Sequence, residues 1–326
     1  MKIYDLVLCA FSFAIGIAAA PSRAAEPLVA EKPVAIPDAK DRFDFLEVDA
    51  AQRRFLAPHT VNGTLDVFDL DSGKLIKHVP TGKAQSVAID EADGKYFVGV
   101  SKEQIVAVVN SKTLEKTGEV KISGPADGIA FDSKNGRVYV DNDDGTSVWV
   151  IDAKSEKIIA TITIPEAPEY VLYDPASDTI FQNIKSSDQV LAIDPNSNVV
   201  KEKWSTGPAK KPHGLALDAK THRLFCAGNN GKLAVIDSTN GKLIASVDIA
   251  TGTDQIAFDP GNKRIYCGCG GGIISVVEET ADGARLLGNV KTPGTGRTLA
   301  VDPKTHAVWT AYGDKSASFT LKLFPQ

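Results

Sequence analysis

The sequence has little cysteine, and it lacks the local signatures of the common catalytic and cofactor sites. Of its 4 cysteines, three lie beyond the N-terminal region, Cys226, Cys267 and Cys269, so at most one disulfide could form among them. A disulfide framework is therefore excluded. There is no Cys-x-x-Cys-His for covalent haem, no Gly-x-Ser-x-Gly nucleophile elbow and no long helical segment for a second domain. Haem-based electron transfer and hydrolysis through a nucleophile elbow lose support.

Long apolar runs are also missing, except at the N-terminus. Lys2 precedes a largely apolar stretch over residues 6–20, and Ser22 and Ala24 are small residues at the positions that a signal peptidase inspects. This pattern predicts a signal peptide over residues 1–24, with the mature chain at 25–326. Leu8 before Cys9 does not fit a lipobox, so no lipid anchor is expected. No later segment is apolar enough to span a bilayer, and we expect a periplasmic or secreted protein.

Basic residues are not in excess. The net charge is −5, and it becomes one unit more negative when the predicted signal peptide is removed. Phosphate backbones and anionic membranes are bound through basic surfaces, so nucleic acid and membrane surfaces are not favoured as partners. A small ligand or an envelope protein is the expected partner. Because a closed ring of repeats has little need to associate, we expect a monomer.

The chain contains a strong internal repeat of about 42 residues, built on an aliphatic-x-hydrophobic-Asp pattern. The seven copies are Leu46-Glu47-Val48-Asp49, Val87-Ala88-Ile89-Asp90, Ile129-Ala130-Phe131-Asp132, Val171-Leu172-Tyr173-Asp174, Leu215-Ala216-Leu217-Asp218, Ile256-Ala257-Phe258-Asp259 and Leu299-Ala300-Val301-Asp302. Four short strands separated by turn residues fit into each unit. This is typical of an all-β, seven-bladed β-propeller.

A large side chain follows each repeat aspartate by seven residues. The members of this column are Leu56, Phe97, Tyr139, Phe181, Phe225, Tyr266 and Trp309. Large rings at one position of every repeat predict packing between neighbouring sheets. We interpret this column as core.

The last repeat ends one strand short, whereas the first repeat is preceded by an unassigned segment from Leu28 to Ile36. This segment resembles the end of a fourth strand, since Ala35-Ile36-Pro37-Asp38 aligns with residues 163–166. We therefore predict that the N-terminal segment supplies the fourth strand of the last blade and removes an exposed sheet edge.

Tyr139-Val140-Asp141-Asn142 departs by one residue from the Tyr-Val-Thr-Asn signature of the YVTN-repeat β-propellers. The chain therefore resembles this family of YncE-like proteins of bacterial envelopes over all of its blades. The resemblance implies a propeller fold and export. It implies little about activity, because propellers carry many unrelated functions. DNA binding is one property reported in the family, and the acidic charge of this chain does not favour it.

The position five residues before each repeat aspartate is polar in every repeat. These seven residues, which we call the mouth ring, are Asp44, Gln85, Asp127, Glu169, His213, Asp254 and Arg297. Each begins the predicted innermost strand, so the ring is expected to surround one mouth of the central channel. Four members are carboxylates, which raise one another's pKa or recruit a cation.

Three interpretations of the mouth ring remain open. It is a solvated polar rim, a site for a divalent cation (calcium, magnesium or zinc) with Asp127, Glu169 and Asp254 as ligands, or a site for an organic ligand or chemistry. Arg297 could neutralise the carboxylates internally and so leave no metal site. His213 is the candidate general base, since it shares the ring with carboxylates on neighbouring blades.

Outside the mouth ring, the histidines and cysteines give weaker signals. His59 is expected on the same face as the ring, farther from the axis, whereas His78, His222 and His306 are expected to be solvated. The cysteines most simply act as small buried hydrophobes, because Cys-x-Cys lacks the spacing of a structural zinc site. Cys269, near a loop, is the one candidate for a reactive thiol.

Three functions follow. The first is a non-enzymatic binding protein that uses the mouth ring. The second is a divalent-cation-dependent hydrolase, because lactonase-type propellers resemble this arrangement of carboxylates, with a metal that polarises a carbonyl and activates water. The third is a protein-interaction scaffold that uses the outer loops.

Overall fold

A computed structural model describes residues 26–326, and the predicted signal peptide lies outside the described residues. The described chain is all-β and forms a seven-bladed β-propeller, as predicted. In residues 26–326 there is no helix with the length and hydropathy that a bilayer span requires.

Each blade is an antiparallel sheet whose strands follow one another in the chain, and the first strand of each blade is the innermost. Blade 1 contains β3 (Glu47–Asp49), β4 (Arg54–His59), β5 (Thr64–Asp69) and β6 (Leu75–Pro80). Blade 2 contains β7 (Ala84–Asp90), β8 (Lys95–Val100), β9 (Ile105–Asn110) and β10 (Glu115–Lys121). Blade 3 contains β11 (Ala126–Asp132), β12 (Arg137–Asn142), β13 (Ser147–Asp152) and β14 (Lys157–Thr163). Blade 4 contains β15 (Pro168–Asp174), β16 (Thr179–Ile184), β17 (Gln189–Asp194) and β18 (Val199–Ser205).

The remaining blades repeat this order. Blade 5 contains β19 (Pro212–Asp218), β20 (Arg223–Gly228), β21 (Lys232–Asp237) and β22 (Leu243–Asp248). Blade 6 contains β23 (Ile256–Asp259), β24 (Arg264–Cys269), β25 (Ile273–Thr280) and β26 (Gly283–Lys291). Blade 7 contains β27 (Leu299–Val301), β28 (Val308–Gly313) and β29 (Ser318–Pro325), together with the N-terminal β1 (Leu28–Ala30) and β2 (Val34–Ile36).

The repeat aspartate shapes the turn that follows each innermost strand. In blade 3, for example, the Asp132 carboxylate accepts hydrogen bonds from the backbone amides of Lys134 and Asn135, both at 3.0 Å. The fourth residue after the aspartate has a positive φ in all seven blades. These residues are Arg53, Gly94, Gly136, Asp178, His222, Lys263 and His306. The repeat therefore encodes one left-handed turn, which only two blades fill with glycine.

The column of large side chains forms the core between blades, as predicted. Every member is buried, with an exposed fraction of 2% or less. Leu56 of blade 1, for example, belongs to the same apolar cluster as Tyr96 and Val98 of blade 2. Each blade is therefore stabilised chiefly by packing against its neighbours.

Blade 7 joins the two ends of the described chain and closes the ring, as predicted. β1 and β2 both pair antiparallel with β29. Leu28 and Ile36 are buried, and the backbone amide of Gln326 donates to the carbonyl of Pro27 at 3.1 Å. The N-terminal segment thus covers what would otherwise be an open sheet edge.

An ion pair also links the first and last blades. The guanidinium of Arg53 donates from both terminal nitrogens to the two carboxylate oxygens of Asp302, each at 2.7 Å. The Asp302 side chain is fully buried, whereas Arg53 is partly exposed and also contacts the exposed Asp71. This bidentate pair fixes the junction at which the ring closes.

Candidate functional site

The residues of the mouth ring lie at irregularities in the innermost strands. In blades 2 to 5, the pairing of the innermost strand with its neighbour shifts register at the ring position, where Gln85, Asp127, Glu169 and His213 lie. In blades 1, 6 and 7 the ring residue precedes the innermost strand. A β-bulge changes the direction of a side chain, and bulges are common beside functional sites.

Four of the seven ring residues come together, in two groups. Donor atoms of Glu169, His213 and Asp254 lie within 4.8 Å of one another, and so do those of Asp127, Asp143 and Glu169. Glu169 therefore belongs to both groups. The proposed ligand set of Asp127, Glu169 and Asp254 is divided between the two, because His213 lies beside Asp254 and Asp143 lies beside Asp127.

Sequence reasoning missed two charged residues of this site, Asp143 and Lys185. Both follow the second strand of a blade, and that connection lies on the same face as the start of the innermost strand. The Nζ atom of Lys185 lies 2.7 Å from Asp143 Oδ1 and 2.8 Å from Glu169 Oε2. The sequence did contain a signal for Asp143, because the run from residue 141 to 144 is rich in acidic residues and lies in a connection on the face of the mouth ring.

The other two cations of the site are also paired. Nδ1 of His213 lies 2.5 Å from Glu169 Oε1, an ion contact without aligned hydrogen-bond geometry, and 3.7 Å from Asp254 Oδ1. A terminal nitrogen of Arg297 lies 3.2 Å from Asp254 Oδ2. Glu169 and Asp254 are thus neutralised by neighbouring cations.

Asp44 and Asp127 have no ion-pair partner of this kind, although the charges of Arg42 and Arg297 act on Asp44. Among residues 26–326, neither side chain makes a hydrogen bond or an ion pair. Burial raises the pKa of Asp127, and the charges of Asp44 and Glu169 raise it further. Burial and the charge of Asp254 likewise raise the pKa of Asp44, although Arg42 acts in the opposite direction. Burial and the neighbouring charges thus favour the neutral form of both carboxyls, and a bound cation would favour their ionised form.

Asp141, the residue that departs from the Tyr-Val-Thr-Asn signature, lies next to this site. Asp141 is fully buried; it accepts hydrogen bonds from the backbone amide of Gly128 at 2.8 Å and from Nε2 of Gln182 at 3.0 Å. A Cβ atom on Gly128 would lie 2.6 Å from Asp141 Oδ2, so this close approach requires glycine. Asp141 thus supports the strand segment that carries Asp127.

Titration of His213 tests the electrostatics of the site. Burial acts against protonation, but the neighbouring carboxylates of Asp254 and Glu169 raise the pKa of His213 to about 9. We expect the NMR signals of this imidazole to titrate near pH 9, and Glu169→Gln to lower that midpoint by at least one pH unit. The pKa in the folded state is raised, so its contribution to stability is complete below about pH 6.5 and is lost as the pH rises through about 9.

Glu166→Gln is the matched control, because it removes an exposed carboxylate on the same connection. It should leave the midpoint unchanged. An imidazole that titrates near pH 6.5 in the unsubstituted protein would contradict the described ion contacts.

Two histidines differ from their expected positions, and a third is more buried than expected. His59 lies at the end of β4, on the face of the mouth ring as expected, but it is completely buried and stacks on Phe43 at 4.0 Å. Its Nε2 donates to the carbonyl of Lys40 at 2.8 Å, and Nε2 of His78 donates to the carbonyl of Pro37 at 3.1 Å. Both imidazoles also contact Asp66, because the segment after β2 folds over them. His306 is paired with Asp259 at 2.9 Å rather than solvated, whereas His222 is exposed.

The cysteines are part of the core. Cys226, Cys267 and Cys269 are free thiols with no exposed surface. Burial raises the pKa of all three thiols. Cys269 is therefore not the reactive thiol that its position near a loop suggested, because reactivity requires an accessible thiolate.

Comparisons with known proteins support the fold. No protein-family model and no curated protein matches the sequence. Hydrazine synthase from Kuenenia stuttgartiensis has a chain of similar structure, with a TM-score of 0.74 and 15% identity over 85% of this chain and 94% of that chain. A chain in the crystal structure of a mitotic checkpoint complex is also similar, with a TM-score of 0.79 and 12% identity over 99% of this chain and 100% of that chain. At these identities the likeness establishes the propeller fold alone.

Proposed function

We propose that this protein is a non-enzymatic binding protein that takes a positively charged ligand at the mouth ring. The observation that carries the proposal is the state of Asp127. The residue has an exposed fraction of 6%, and its carboxylate has no hydrogen-bond or ion-pair partner within residues 26–326. Burial raises the pKa of Asp127, and a bound cation would offset the cost of ionising this carboxyl.

The surroundings of Asp127 favour a cation over a neutral ligand. Asp143 and Glu169 present oxygen atoms within 4.8 Å of those of Asp127. Lys185, His213 and Arg297 each have a carboxylate partner already, and Arg42 acts on Asp44. Gln85 adds a buried side-chain carbonyl oxygen without a hydrogen-bond partner. Carboxylate and carbonyl oxygens suit calcium or magnesium, and the same group would accept an organic ammonium ion.

The size of the accessible space limits the ligand. A cavity of about 230 Å³ opens on the side of the mouth ring formed by Asp44 and Asp254, where Arg42 and Arg297 also line it, rather than directly beside Asp127. It would accommodate a metal ion with its waters or a small organic cation, but not a macromolecule.

The first experiment compares the metal content of the mature protein, purified without chelators or nickel affinity, with that of Asp127→Asn. Thermal unfolding is then followed with calcium, magnesium, zinc and methylammonium ions. We expect one of these cations to stabilise the unsubstituted protein by about 2–3 kcal/mol at 100 times its Kd. Asp127→Asn should weaken that binding at least about tenfold, since it removes the unpaired charge.

Asp144→Asn is the matched control, because Asp144 is an exposed carboxylate on the same face. It should change affinity less than about twofold. Without ligand, Asp127→Asn should melt at a higher temperature than the unsubstituted protein, because it relieves repulsion among buried carboxylates. No bound metal and no stabilisation by any of the four cations would overturn the proposal.

A divalent-cation-dependent hydrolase of lactonase type is the second candidate. It is favoured by the convergence of Glu169, His213 and Asp254 on a volume that could hold an ion. The raised pKa of His213 disfavours a general-base role at neutral pH, since a protonated imidazole cannot accept a proton. Turnover of lactones that requires the metal and is lost in His213→Gln would favour this candidate.

A scaffold role would instead be supported by capture of an envelope protein that survives substitution of the mouth ring.

Export and family membership belong to the same proposal. The predicted signal peptide supports a periplasmic or secreted location. The Tyr-Val-Asp-Asn sequence at residues 139–142 supports kinship with the YVTN-repeat propellers. The acidic net charge of −5 supports a partner other than nucleic acid.

A further inference from the structure

The central channel is interrupted just below the mouth ring. The rings of Phe45 and Tyr170, which belong to the nearly opposite blades 1 and 4, contact each other edge to face with centroids 5.0 Å apart. Beside them, the side-chain amide of Gln255 accepts from the backbone amides of Leu46 and Leu299 and donates to the carbonyl of Leu46. Each of these three side chains directly follows a mouth-ring residue. They therefore separate the mouth ring from the opposite half of the channel.

That opposite half is a cavity of about 400 Å³, which we call the lower chamber. It is lined by the innermost strands of blades 1, 4, 5, 6 and 7. Its apolar side chains include Leu172, Leu217, Phe258 and Val301, all of which are half-buried because they face this space. Among the described residues, no lysine or arginine lines it. The lower chamber is thus mainly apolar, whereas the mouth ring is polar and charged.

One lining residue breaks the repeat. The position two before the repeat aspartate is alanine or leucine in six blades and a carboxyl in the first. The column is Glu47, Ala88, Ala130, Leu172, Ala216, Ala257 and Ala300. Nothing in the repeat requires a carboxyl here, since the other blades fold without one. Glu47 is therefore a candidate for a ligand contact.

The titratable neighbours of Glu47 are Asp49 on the same strand and Tyr170 on β15; Tyr173 also lines the chamber, and its hydroxyl donates to Asp178 at 3.0 Å. Burial raises the pKa of Glu47 to about 7, a hydrogen bond from the amide of Val48 opposes this, and the charge of Asp49 adds to it. Burial and the charge of Glu47 in turn raise the pKa of Tyr170. Glu47 has no ion-pair partner among the described residues. One carboxyl and one phenol thus converge at the inner end of an apolar chamber.

We propose that the lower chamber is a second binding site, for a small apolar molecule with one amine, whose ammonium group pairs with Glu47 while its apolar part packs against Leu172, Leu217 and Phe258. An apolar cavity with a few convergent polar groups is the usual form of a small-molecule site. An ammonium group would supply the missing counter-ion.

The probes are n-hexylamine, n-hexanol and n-hexanoate, which share an apolar chain and differ in charge, measured by calorimetric titration at pH 8. Hexylamine should bind at least about tenfold more tightly than hexanol, and hexanoate should not bind. Between pH 5 and 6.5 the affinity for hexylamine should rise up to about tenfold per pH unit, because binding requires the ionised carboxylate, and it should level off above pH 7.

Glu47→Ala supplies the decisive comparison, because it introduces the residue found in most other blades and should fold. It should reduce the affinity for hexylamine to that for hexanol and abolish the pH dependence. Leu217→Trp should abolish binding of both probes by filling the chamber. Asp127→Asn, at the mouth ring, should change neither the affinity for hexylamine nor that for hexanol. The proposals for the two sites can therefore be tested independently. Equal affinities for hexylamine and hexanol, or an unchanged amine preference in Glu47→Ala, would overturn the proposal.

Discussion

A chain that begins at Asp38, and so lacks β1 and β2, is expected to melt roughly 10 °C or more below a chain that begins at Glu26. The truncation removes Leu28 and Ile36, which are both buried, and each such loss costs about 2–5 kcal/mol. It also leaves β29 as an open edge, because β1 and β2 both pair with that strand. Differential scanning calorimetry of the two chains measures the difference.

Rescue distinguishes the missing strand from general damage. A synthetic peptide of residues 26–37 should restore much of the lost stability when added to the truncated chain, because strand addition to an open edge recovers the same hydrogen bonds and apolar contacts. A peptide of the same composition in scrambled order is the control. Equal melting temperatures for the two chains would show that blade 7 does not need its N-terminal strands.

Arg53→Gly is expected to lower the free energy of unfolding by about 3 kcal/mol, because it leaves Asp302 buried without its counter-ion. Glycine suits this position, since φ is 54° at Arg53 and the equivalent residues of blades 2 and 3 are Gly94 and Gly136. The loss therefore reports the ion pair rather than turn strain. Urea denaturation at pH 7 measures it.

Lys263→Gly is the matched control, because Lys263 lies at the same turn position with φ 56° but makes no ion pair among the described residues. It should be neutral or slightly stabilising. If Arg53→Gly behaved like Lys263→Gly, the pair with Asp302 would contribute nothing to ring closure.

The same pair predicts a response to acid. Burial acts to raise the pKa of Asp302, but hydrogen bonds from Arg53, Thr305 and the amide of Lys304 lower it to about 2. The pKa in the folded state is depressed, so this contribution to stability is complete above the unfolded value near pH 4 and is lost as the pH falls through about 2. In Arg53→Gly the loss should begin at a higher pH.

The periodic part of the molecule was predictable from sequence. The repeat aspartates fixed seven blades, and the column from Leu56 to Trp309 fixed the core. The same periodicity also located the mouth-ring positions, because residues at equivalent places in a repeat occupy equivalent places around the axis. The closing role of Leu28 to Ile36 followed from counting strands.

What could not be predicted lies where the repeat is broken. Asp143 and Lys185 belong to connections whose residues differ from blade to blade, so no column identified them. The division of the carboxylates into two groups depends on side-chain positions at β-bulges, which sequence does not reveal. The burial of His59 could not be predicted, because the path of residues 37–43 over it follows no pattern in the repeat.

The pairing of β1 with β29 has a consequence for biosynthesis. The two strands are separated by nearly 300 residues, so blade 7 can form only after almost the whole chain has left the ribosome, roughly 15–60 s after β1 at ordinary rates of elongation. During that time Leu28 and Ile36 lack their partner and are available to other strand edges. A newly made chain therefore needs protection of this segment until synthesis is nearly complete.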